Sequence, residues 1–282
     1  MLNKGLRAAV PGTGTRRNDY TISSRSLEER HLRVLLYGQT GTGKTQAVGS
    51  AATAADGKMH PAVFVDVDRG ALSVMHNDII MIEDIKSFDQ LWTLLRDIAA
   101  DRFVLDDEII TPKSLIVDSL THLYDAQLRS QAETIEMNRW QSGVPSESDY
   151  LIAHNRLKAI LDFVRRMPMH VICTAHVLEV PEGGLTAKRP ALPGKMSNSI
   201  VEYFDVVGYL YTKARGKEVR YYAQFQNFGR VLAKERSPWG EPKLGPAIDT
   251  TNANLLDIVY RASILGISAD KQRAELSKED EI

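Results

Sequence analysis

Residues 38–45 read Gly38-Gln39-Thr40-Gly41-Thr42-Gly43-Lys44-Thr45, and this stretch decides the fold. It matches the pattern G-x-x-x-x-G-K-[ST] in full, directly after an apolar run and before an alanine-rich segment. Glycines let the backbone wrap a phosphate with its N–H groups pointing inward, and the start of a helix adds a favourable dipole. Lys44 is expected to reach the β- and γ-phosphates, and Thr45 offers a hydroxyl to Mg²⁺. The stretch therefore predicts a loop that binds a nucleoside triphosphate with Mg²⁺, and ATP is the expected nucleotide.

Outward from this loop, short apolar runs alternate with longer segments of helical spacing. The predicted strands are residues 32–37, 62–67, 115–117 and 169–175, and the predicted helices are 45–55, 88–100, 120–135, 150–166 and 254–264. Residues 206–212 and 219–225 flank a glycine-containing turn and predict an antiparallel hairpin, with a further strand at 228–234. Near-continuous apolar strands between helices are typical of a parallel sheet covered on both faces. The predicted fold class is α/β, with a mainly parallel central sheet flanked by helices and a C-terminal antiparallel hairpin.

The composition is that of a globular protein: 282 residues, 43% hydrophobic, 25% charged, with a net charge of −1. The near-zero net charge argues against a globally basic nucleic-acid binder but leaves a local basic groove open. The single cysteine, Cys173, predicts a small buried core residue, with a reactive thiol as the alternative. The sequence has no signal-peptide pattern and no apolar window of membrane length, so a cytoplasmic protein without a membrane partner is expected.

Three parts are predicted along the chain. Residues 1–30 form a basic, flexible N-terminal arm, residues 31–265 form the catalytic domain, and residues 266–282 form a charged C-terminal tail. The arm could be simply solvated, or it could contact a neighbouring protomer or a phosphate.

Two carboxylates follow predicted strands that neighbour the loop. Asp118 ends the strand 115–117, and an aspartate in that position holds Mg²⁺ through its water shell, so Thr45 and Asp118 are the predicted metal pair. Ser119 comes next, where many P-loop ATPases place a catalytic glutamate, so the base must come from another strand. Asp66 lies within the strand 62–67 and Asp68 follows it, and Asp68, nearer the tip, is the predicted general base. The alternative is that both carboxylates cap the strand end.

His176 follows the fourth predicted strand. A polar residue at that tip can contact the γ-phosphate and report its presence, which makes His176 the predicted sensor. A purely structural histidine is the alternative. The predicted catalytic set is therefore Lys44, Asp68 and His176.

These elements together resemble the RecA-like ATPase core, over about residues 33–236. That core has a phosphate loop, a strand ending Asp-x-Glu, a strand ending Asp-Ser, a sensor strand and a basic hairpin. The corresponding residues, in that order, are Gly38–Thr45, Asp66-Val67-Asp68, Asp118-Ser119, Ala175-His176 and Lys234-Glu235-Arg236. The chain departs from the pattern at Asp68, where glutamate is usual, and at His176, where many relatives have glutamine. Because aspartate is one methylene shorter than glutamate, the departure at Asp68 bears on the rate of hydrolysis.

Within that group the chain is similar to bacteriophage-encoded single-strand annealing and recombination ATPases, on Trp140, Thr174-Ala175-His176 and Lys234-Glu235-Arg236. The resemblance implies that two loops, residues 138–148 and 177–198, face single-stranded DNA. The implied DNA-binding residues are Arg139, Trp140, Lys188, Arg189 and Lys195. The alternatives are that Trp140 packs beneath its loop and that the basic residues are simply solvated.

The same resemblance implies that Lys234 and Arg236 reach the γ-phosphate of an adjacent protomer, which predicts a ring or filament of identical chains. A surface-exposed basic hairpin is the alternative. The expected function is a DNA-stimulated ATPase that binds single-stranded DNA and promotes annealing or homologous recombination, in the host cytoplasm if the chain is phage-encoded. A single-strand binding protein is a further expected partner. Alternatives are a weakly hydrolysing, nucleotide-gated accessory or loader protein in DNA replication, and a small nucleotide kinase, which the lack of an arginine-rich lid disfavours.

Overall fold

The computed structural model describes residues 15–17, 20–22, 30–134 and 145–272. The chain divides into two units, residues 1–31 and residues 32–282. In the first unit, β1 (Thr15–Arg17) pairs antiparallel with β2 (Tyr20–Ile22). The part of the chain predicted as a flexible arm therefore contains a short hairpin.

The second unit is built on a mixed sheet. Its strands in chain order are β3 (Arg33–Gly38), β4 (Ala62–Asp66), β5 (Ile80–Ile82), β6 (Val104–Leu105), β7 (Glu108–Ile109), β8 (Ser114–Asp118), β9 (His170–Glu182), β10 (Leu185–Pro190), β11 (Val206–Arg215), β12 (Glu218–Gln224), β13 (Lys234–Glu235) and β14 (Ala247–Asp249). The main path of the sheet has the order β14-β12-β11-β3-β9-β8-β4-β5, and β6 and β7 pair separately. Neighbouring strands from β11 to β5 run parallel, whereas β11–β12 and β12–β14 are antiparallel. The predicted fold class is confirmed, including the C-terminal hairpin.

Helices cover both faces of this sheet. They are α1 (Lys44–Gly49), α2 (Phe88–Ala99), α3 (Leu120–Thr134), α4 (Glu147–Val164), α5 (Met196–Ser199) and α6 (Leu255–Tyr260). One buried core lies between the sheet and α2, α3 and α4, and the other between the opposite face and α1 and α6. Strands β3, β4 and β8 are buried along their whole length, which explains why their sequences are apolar without alternation.

The register of the parallel strands brings their carboxyl ends to one edge. Gly38 at the end of β3 is aligned with His176 on β9, and Asp66 at the end of β4 is aligned with Asp118 at the end of β8. Ligands of open α/β sheets bind at this edge. The topology thus collects the phosphate loop and the predicted acidic and imidazole side chains in one place.

Helix α1 is shorter than the predicted helix 45–55. It ends at Gly49 and continues as 3₁₀ turns, in which Ala55 (φ 58°) and Asp56 (φ 52°) adopt positive φ angles. An α-helix requires negative φ at each residue, so the helix cannot run through this segment.

The predicted DNA-facing loop 177–198 is largely ordered as a hairpin. Strand β9 continues past His176 to Glu182, turns at Gly183 and Gly184 with positive φ angles, and pairs antiparallel with β10. The predicted strand 228–234 is wrong over most of its length, because Gly229 and Arg230 both have φ near 60°. Consecutive left-handed residues cannot extend into a strand.

Two further predictions concern the end of the chain and the cysteine. Residues 269–272, placed in the charged tail by sequence, are helical, and both Ala269 and Gln272 are buried. Cys173 is buried and unpaired, and burial raises the pKa of its thiol to about 12. The alternative of a reactive thiol is therefore wrong. Over the described ranges, no helix combines the length and apolar character that crossing a bilayer requires.

Candidate active site

The phosphate loop joins the buried strand β3 to helix α1. Gly41 (φ 79°) and Gly43 (φ 81°) adopt the left-handed conformation that glycine tolerates at little cost. A Cβ atom at Gly38 would overlap the carbonyl oxygen of Leu210 on the neighbouring strand β11. The three glycines of the pattern are thus required by backbone conformation at two positions and by crowding at the third.

Lys44 is largely buried at the mouth of this loop. Its Nζ donates hydrogen bonds to the carbonyl oxygens of Gly38 (3.1 Å) and Gln39 (2.9 Å). Burial lowers the pKa of Lys44, and the nearby carboxylates of Asp118 and Asp68 oppose that shift. A buried ammonium held by neutral carbonyls is poised to bind a phosphate, which offers charged acceptor oxygens instead.

The predicted metal pair is brought together. Thr45 Oγ1 donates a hydrogen bond to Asp118 Oδ2 over 2.6 Å, and Thr174 Oγ1 on β9 donates to the other carboxylate oxygen. Asp118 is only 5% exposed, and desolvation raises its pKa despite the hydrogen bonds from Thr174 and Thr45. Hydroxyl and carboxylate oxygens are the ligands that Mg²⁺ prefers, so this donor set fits the ion.

Asp66 and Asp68 have different roles in the structure. Asp66 is buried and accepts hydrogen bonds from the backbone N–H groups of Gly70 (3.0 Å) and Ala71 (3.1 Å). Asp66 therefore caps the turn after β4, which agrees for this residue with the alternative that the carboxylates cap the strand end. Asp68 lies instead beside Asp118: its Oδ1 accepts a hydrogen bond from the backbone N–H of Ser119 at 3.1 Å.

His122 on α3 is a site residue that the sequence did not reveal. Its Nδ1 lies 2.8 Å from Asp68 Oδ2 and 3.0 Å from Ser119 Oγ. Its ring meets the ring of His176 edge to face, with centroids 4.8 Å apart. Ser119 directly precedes α3 and His122 lies in its first turn. The three-residue spacing at the start of a predicted helix was the sequence feature that could have indicated contact between them.

His176 lies at the same edge of the sheet, although β9 does not end there. Its backbone N–H donates to Thr121 Oγ1 at 2.9 Å, which fixes the backbone beside the loop. Burial lowers the pKa of His176, and electrostatic interactions with Lys44 and His122 lower it further. The imidazole is therefore held towards its neutral form.

A cavity of about 350 Å³ opens beside the loop, on the face of the sheet that α1 and α6 cover. Its lining includes Gly43, Gln46, Tyr221 and residues 250–253. The combination of an aromatic ring, backbone polar groups and small side chains suits a purine base next to bound phosphates. The lining comes from distant parts of the chain, so no local pattern marks it.

The predicted DNA-binding residues are only partly described. Arg139 and Trp140 lie outside the described residues. Lys188 donates to the Tyr209 hydroxyl at 2.9 Å, and Arg189 pairs with Glu182 at 2.9 Å, so both basic groups have partners within the chain. Lys195, immediately before α5, is exposed. DNA contact by these residues stays a prediction.

The predicted trans-acting pair also has partners in its own chain. Lys234 Nζ donates to the carbonyl oxygens of Val201 and Phe204, each at 2.8 Å, and Arg236 pairs with Asp205 at 3.3 Å. Strand β13 pairs with the start of β11, away from the end of β11 that adjoins the loop. The Arg236 side chain is 49% exposed and stays a candidate for contact with another protomer.

A family model described as an AAA domain matches residues 30–237 of the chain. The chain belongs to this AAA domain family. The match spans the phosphate loop, both aspartates and both histidines of the site. Together with the topology, it makes this AAA domain protein a P-loop ATPase of the RecA/AAA-like type, for which the family implies nucleotide binding, usually with Mg²⁺.

Solved structures with related folds include a KaiC-like protein from the hyperthermophilic archaeon Pyrococcus horikoshii OT3. It shares 19% identity with the AAA domain protein over 68% of this chain and 77% of that chain, with a TM-score of 0.39. The flagellar accessory protein FlaH from Methanocaldococcus jannaschii shares 11% identity over 73% of this chain and 84% of that chain, with a TM-score of 0.37. No curated protein matches the sequence.

Proposed function

We propose that this AAA domain protein hydrolyses ATP with Mg²⁺ and that single-stranded DNA stimulates the hydrolysis, in annealing or homologous recombination. The observation that carries the proposal of hydrolysis is the position of Asp68. Its carboxylate is hydrogen-bonded to the residue that follows Asp118, so a proton acceptor adjoins the oxygen ligands that suit Mg²⁺. A base within reach of a water beside the phosphate is the geometric requirement for general base catalysis.

Each side chain has a role in this proposal. Lys44 and the loop N–H groups bind the phosphates, while Thr45 and Asp118 hold the metal. Bound Mg²⁺ supplies neutralisation of the phosphate charge. Asp68 orients water and accepts its proton, and the neutral His176 at the same edge donates or accepts a hydrogen bond at the γ-phosphate position.

Stacked tyrosines on the C-terminal hairpin support the proposal of DNA binding. Tyr209 stacks on Tyr211 at 5.7 Å, and Tyr211 stacks on Tyr222 at 5.4 Å. We call these three residues the tyrosine ladder. Lys213 Nζ lies 5.4 Å from the ring centroids of both Tyr211 and Tyr222. Tyr209 is buried in the core and supports the ladder from below, whereas Tyr211 and Tyr222 are half-buried and offer accessible ring surface. Aromatic faces beside a cation are suited to stacking bases and attracting the backbone of a single strand without sequence preference.

The ladder also lies close to the nucleotide loop. Tyr209 precedes Leu210, whose register partner on β3 is Gly38, the first residue of the loop. Occupation of the ladder by DNA would therefore act on the strand that supports the loop. This adjacency gives a direct route for DNA to change ATP turnover.

The test is ATP turnover by the full chain with and without single-stranded DNA. We expect stimulation by DNA in the wild type. We expect Tyr211→Ala to weaken DNA binding by roughly 1–3 kcal/mol, the usual worth of one stacked base. Tyr203→Ala, outside the ladder, is the matched control and should bind DNA normally. Turnover that requires a nucleoside acceptor, or a Tyr211→Ala variant with unchanged DNA affinity, would contradict the proposal.

A second candidate is a nucleotide-gated accessory or loader protein that hydrolyses weakly. The favouring observation is that Asp68 is already engaged by His122 at 2.8 Å and by the N–H of Ser119 at 3.1 Å. Both contacts occupy carboxylate lone pairs that an attacking water would otherwise use. A single-turnover measurement decides: ATP that stays bound and unhydrolysed in the presence of DNA supports the accessory role.

A further inference from the structure

We propose that Asp68, His122 and His176 form a binding site for a divalent transition-metal ion, separate from the Mg²⁺ site at Thr45 and Asp118. The three side chains come from three elements: the segment after β4, helix α3 and strand β9. One ligand atom from each lies within 4.8 Å of the other two. Long-range folding, not local sequence, brings them together.

The spacing suits coordination after small side-chain rotations. Metal–ligand distances of about 2.0–2.2 Å place the ligand atoms of one ion about 3–4 Å apart. The Asp68 carboxylate and His122 Nδ1 are already 2.8 Å apart, and the two imidazole rings are nearly perpendicular, at 85°. A bound ion would replace this direct contact between the carboxylate and the imidazole nitrogen.

The types of ligand atom determine which metal ion the cluster prefers. Two imidazole nitrogens and one carboxylate suit Zn²⁺, Co²⁺, Fe²⁺ or Ni²⁺, whereas Mg²⁺ prefers oxygen ligands throughout. The neighbouring site at Thr45 and Asp118 offers hydroxyl and carboxylate oxygens alone. Two adjacent sites would thus select different ions by ligand chemistry.

Hydrogen bonds around the cluster hold the ligands in place. Thr121 Oγ1 accepts from the His176 backbone N–H and donates to the carbonyl oxygen of Ala191 at 3.0 Å. His176 Nε2 is shielded from solvent and has no hydrogen-bond partner among the described residues, so it is available to a metal. Supporting contacts of this kind orient metal ligands and strengthen binding.

A serine nucleophile is a poorer explanation of the same residues. In a catalytic triad the serine and the carboxylate contact opposite nitrogens of the histidine. Here Ser119 Oγ and Asp68 Oδ2 both approach His122 Nδ1, at 3.0 Å and 2.8 Å. His122 cannot relay a proton from Ser119 to Asp68 in this arrangement.

The experiment is titration of the full chain with Co²⁺ alone, without nucleotide, followed by its visible absorption. We expect one equivalent to bind, and excess Mg²⁺ to leave it bound. His122→Ala and His176→Ala should each weaken binding at least about tenfold. His154→Ala, on α4 and outside the cluster, is the matched control and should bind as the wild type does.

His122→Cys guards against a variant that loses binding through misfolding. A thiolate replaces the imidazole as ligand, so Co²⁺ should still bind and should acquire a sulfur-to-metal charge-transfer band. The proposal is overturned if Co²⁺ binds His122→Ala as tightly as the wild type, if Mg²⁺ displaces it, or if His122→Cys shows no such band. Because no nucleotide is present, these results do not depend on whether the chain hydrolyses ATP.

One consequence does rest on the proposed function. If Asp68 is the base for hydrolysis, an ion held by Asp68 withdraws it from water. Zn²⁺ should then inhibit ATP turnover in the wild type, with less inhibition in His122→Ala. Zn²⁺ binding without inhibition would keep the metal site and contradict the role of Asp68.

Discussion

Asp118 ends β8 and Asp68 follows the neighbouring strand β4, yet the surroundings of the two carboxylates differ. Asp118 is buried and receives hydrogen bonds from the hydroxyls of Thr45 and Thr174. The Asp68 side chain is 27% exposed and faces His122. A buried carboxylate held by fixed donors is suited to hold a cation, and a solvent-accessible one beside imidazoles is suited to exchange protons.

The difference also concerns stability. Desolvation raises the pKa of Asp118, so its charged form is costly in the fold until a cation arrives. Asp68 reaches water and avoids that cost. Lys44 interacts electrostatically with both carboxylates, Asp118 and Asp68. Variants of these residues should therefore separate metal binding from proton transfer.

The largest effect is expected from Lys44→Ala. This change removes the buried cation that interacts with both carboxylates and is expected to bind the phosphates. Each hydrogen bond to a charged group is worth about 1.5–3 kcal/mol, so triphosphate affinity should fall at least tenfold and turnover should be lost. Binding of a fluorescent ATP analogue measures the loss. Lys113→Ala, an exposed lysine before β8, is the control and should bind normally.

Asp68→Asn should stop proton transfer while leaving the nucleotide in place. General base catalysis contributes about 10²–10⁴-fold, and turnover should fall by that factor with ATP affinity nearly unchanged. Phosphate release under saturating ATP gives the rate, and Asp68→Glu should recover part of it. Unchanged turnover in Asp68→Asn would remove Asp68 from the mechanism.

The smallest of these effects is expected for the metal-free stability of Asp118→Asn. The folded-state pKa of Asp118 is raised, so at pH 7 ionisation favours the unfolded chain, and the neutral amide removes that disadvantage. The variant should melt at a higher temperature than the wild type without Mg²⁺ and nucleotide. A gain of about 1 kcal/mol would raise Tm by about 2–4 °C. A lower Tm would show that the hydrogen bonds to the carboxylate outweigh its desolvation.

Local patterns in the sequence were sufficient for the loop and for Asp118. The phosphate loop needs glycines at fixed positions, and the buried strand before Asp118 is an unbroken apolar run. Strand alternation points Asp66 and Asp68 the same way, so only the position of Asp68 nearer the tip favoured it, and the different partners of the two carboxylates were not predictable. The turn at Arg69 (φ 57°) decides between them, since it directs the next two N–H groups to Asp66.

The contacts that sequence missed depend on long-range pairing. His122 reaches His176 because α3 packs against β9, and it reaches Asp68 because β8, directly before α3, pairs with β4. The RecA-like resemblance predicts a loop over residues 177–198, whereas Gly183-Gly184 marks the turn of the hairpin β9–β10. The hydrogen bond from Thr174 to Asp118 requires β9 to lie next to β8.

In the proposed mechanism Asp118 holds the metal while Asp68 acts on water. The most direct test is the Mg²⁺ dependence of ATP affinity in Asp118→Asn and Asp68→Asn, measured by calorimetry over a range of Mg²⁺ concentrations. We expect Mg²⁺ to strengthen ATP binding in the wild type and in Asp68→Asn but to have little effect in Asp118→Asn. Loss of the Mg²⁺ effect in Asp68→Asn, with the effect intact in Asp118→Asn, would contradict this mechanism.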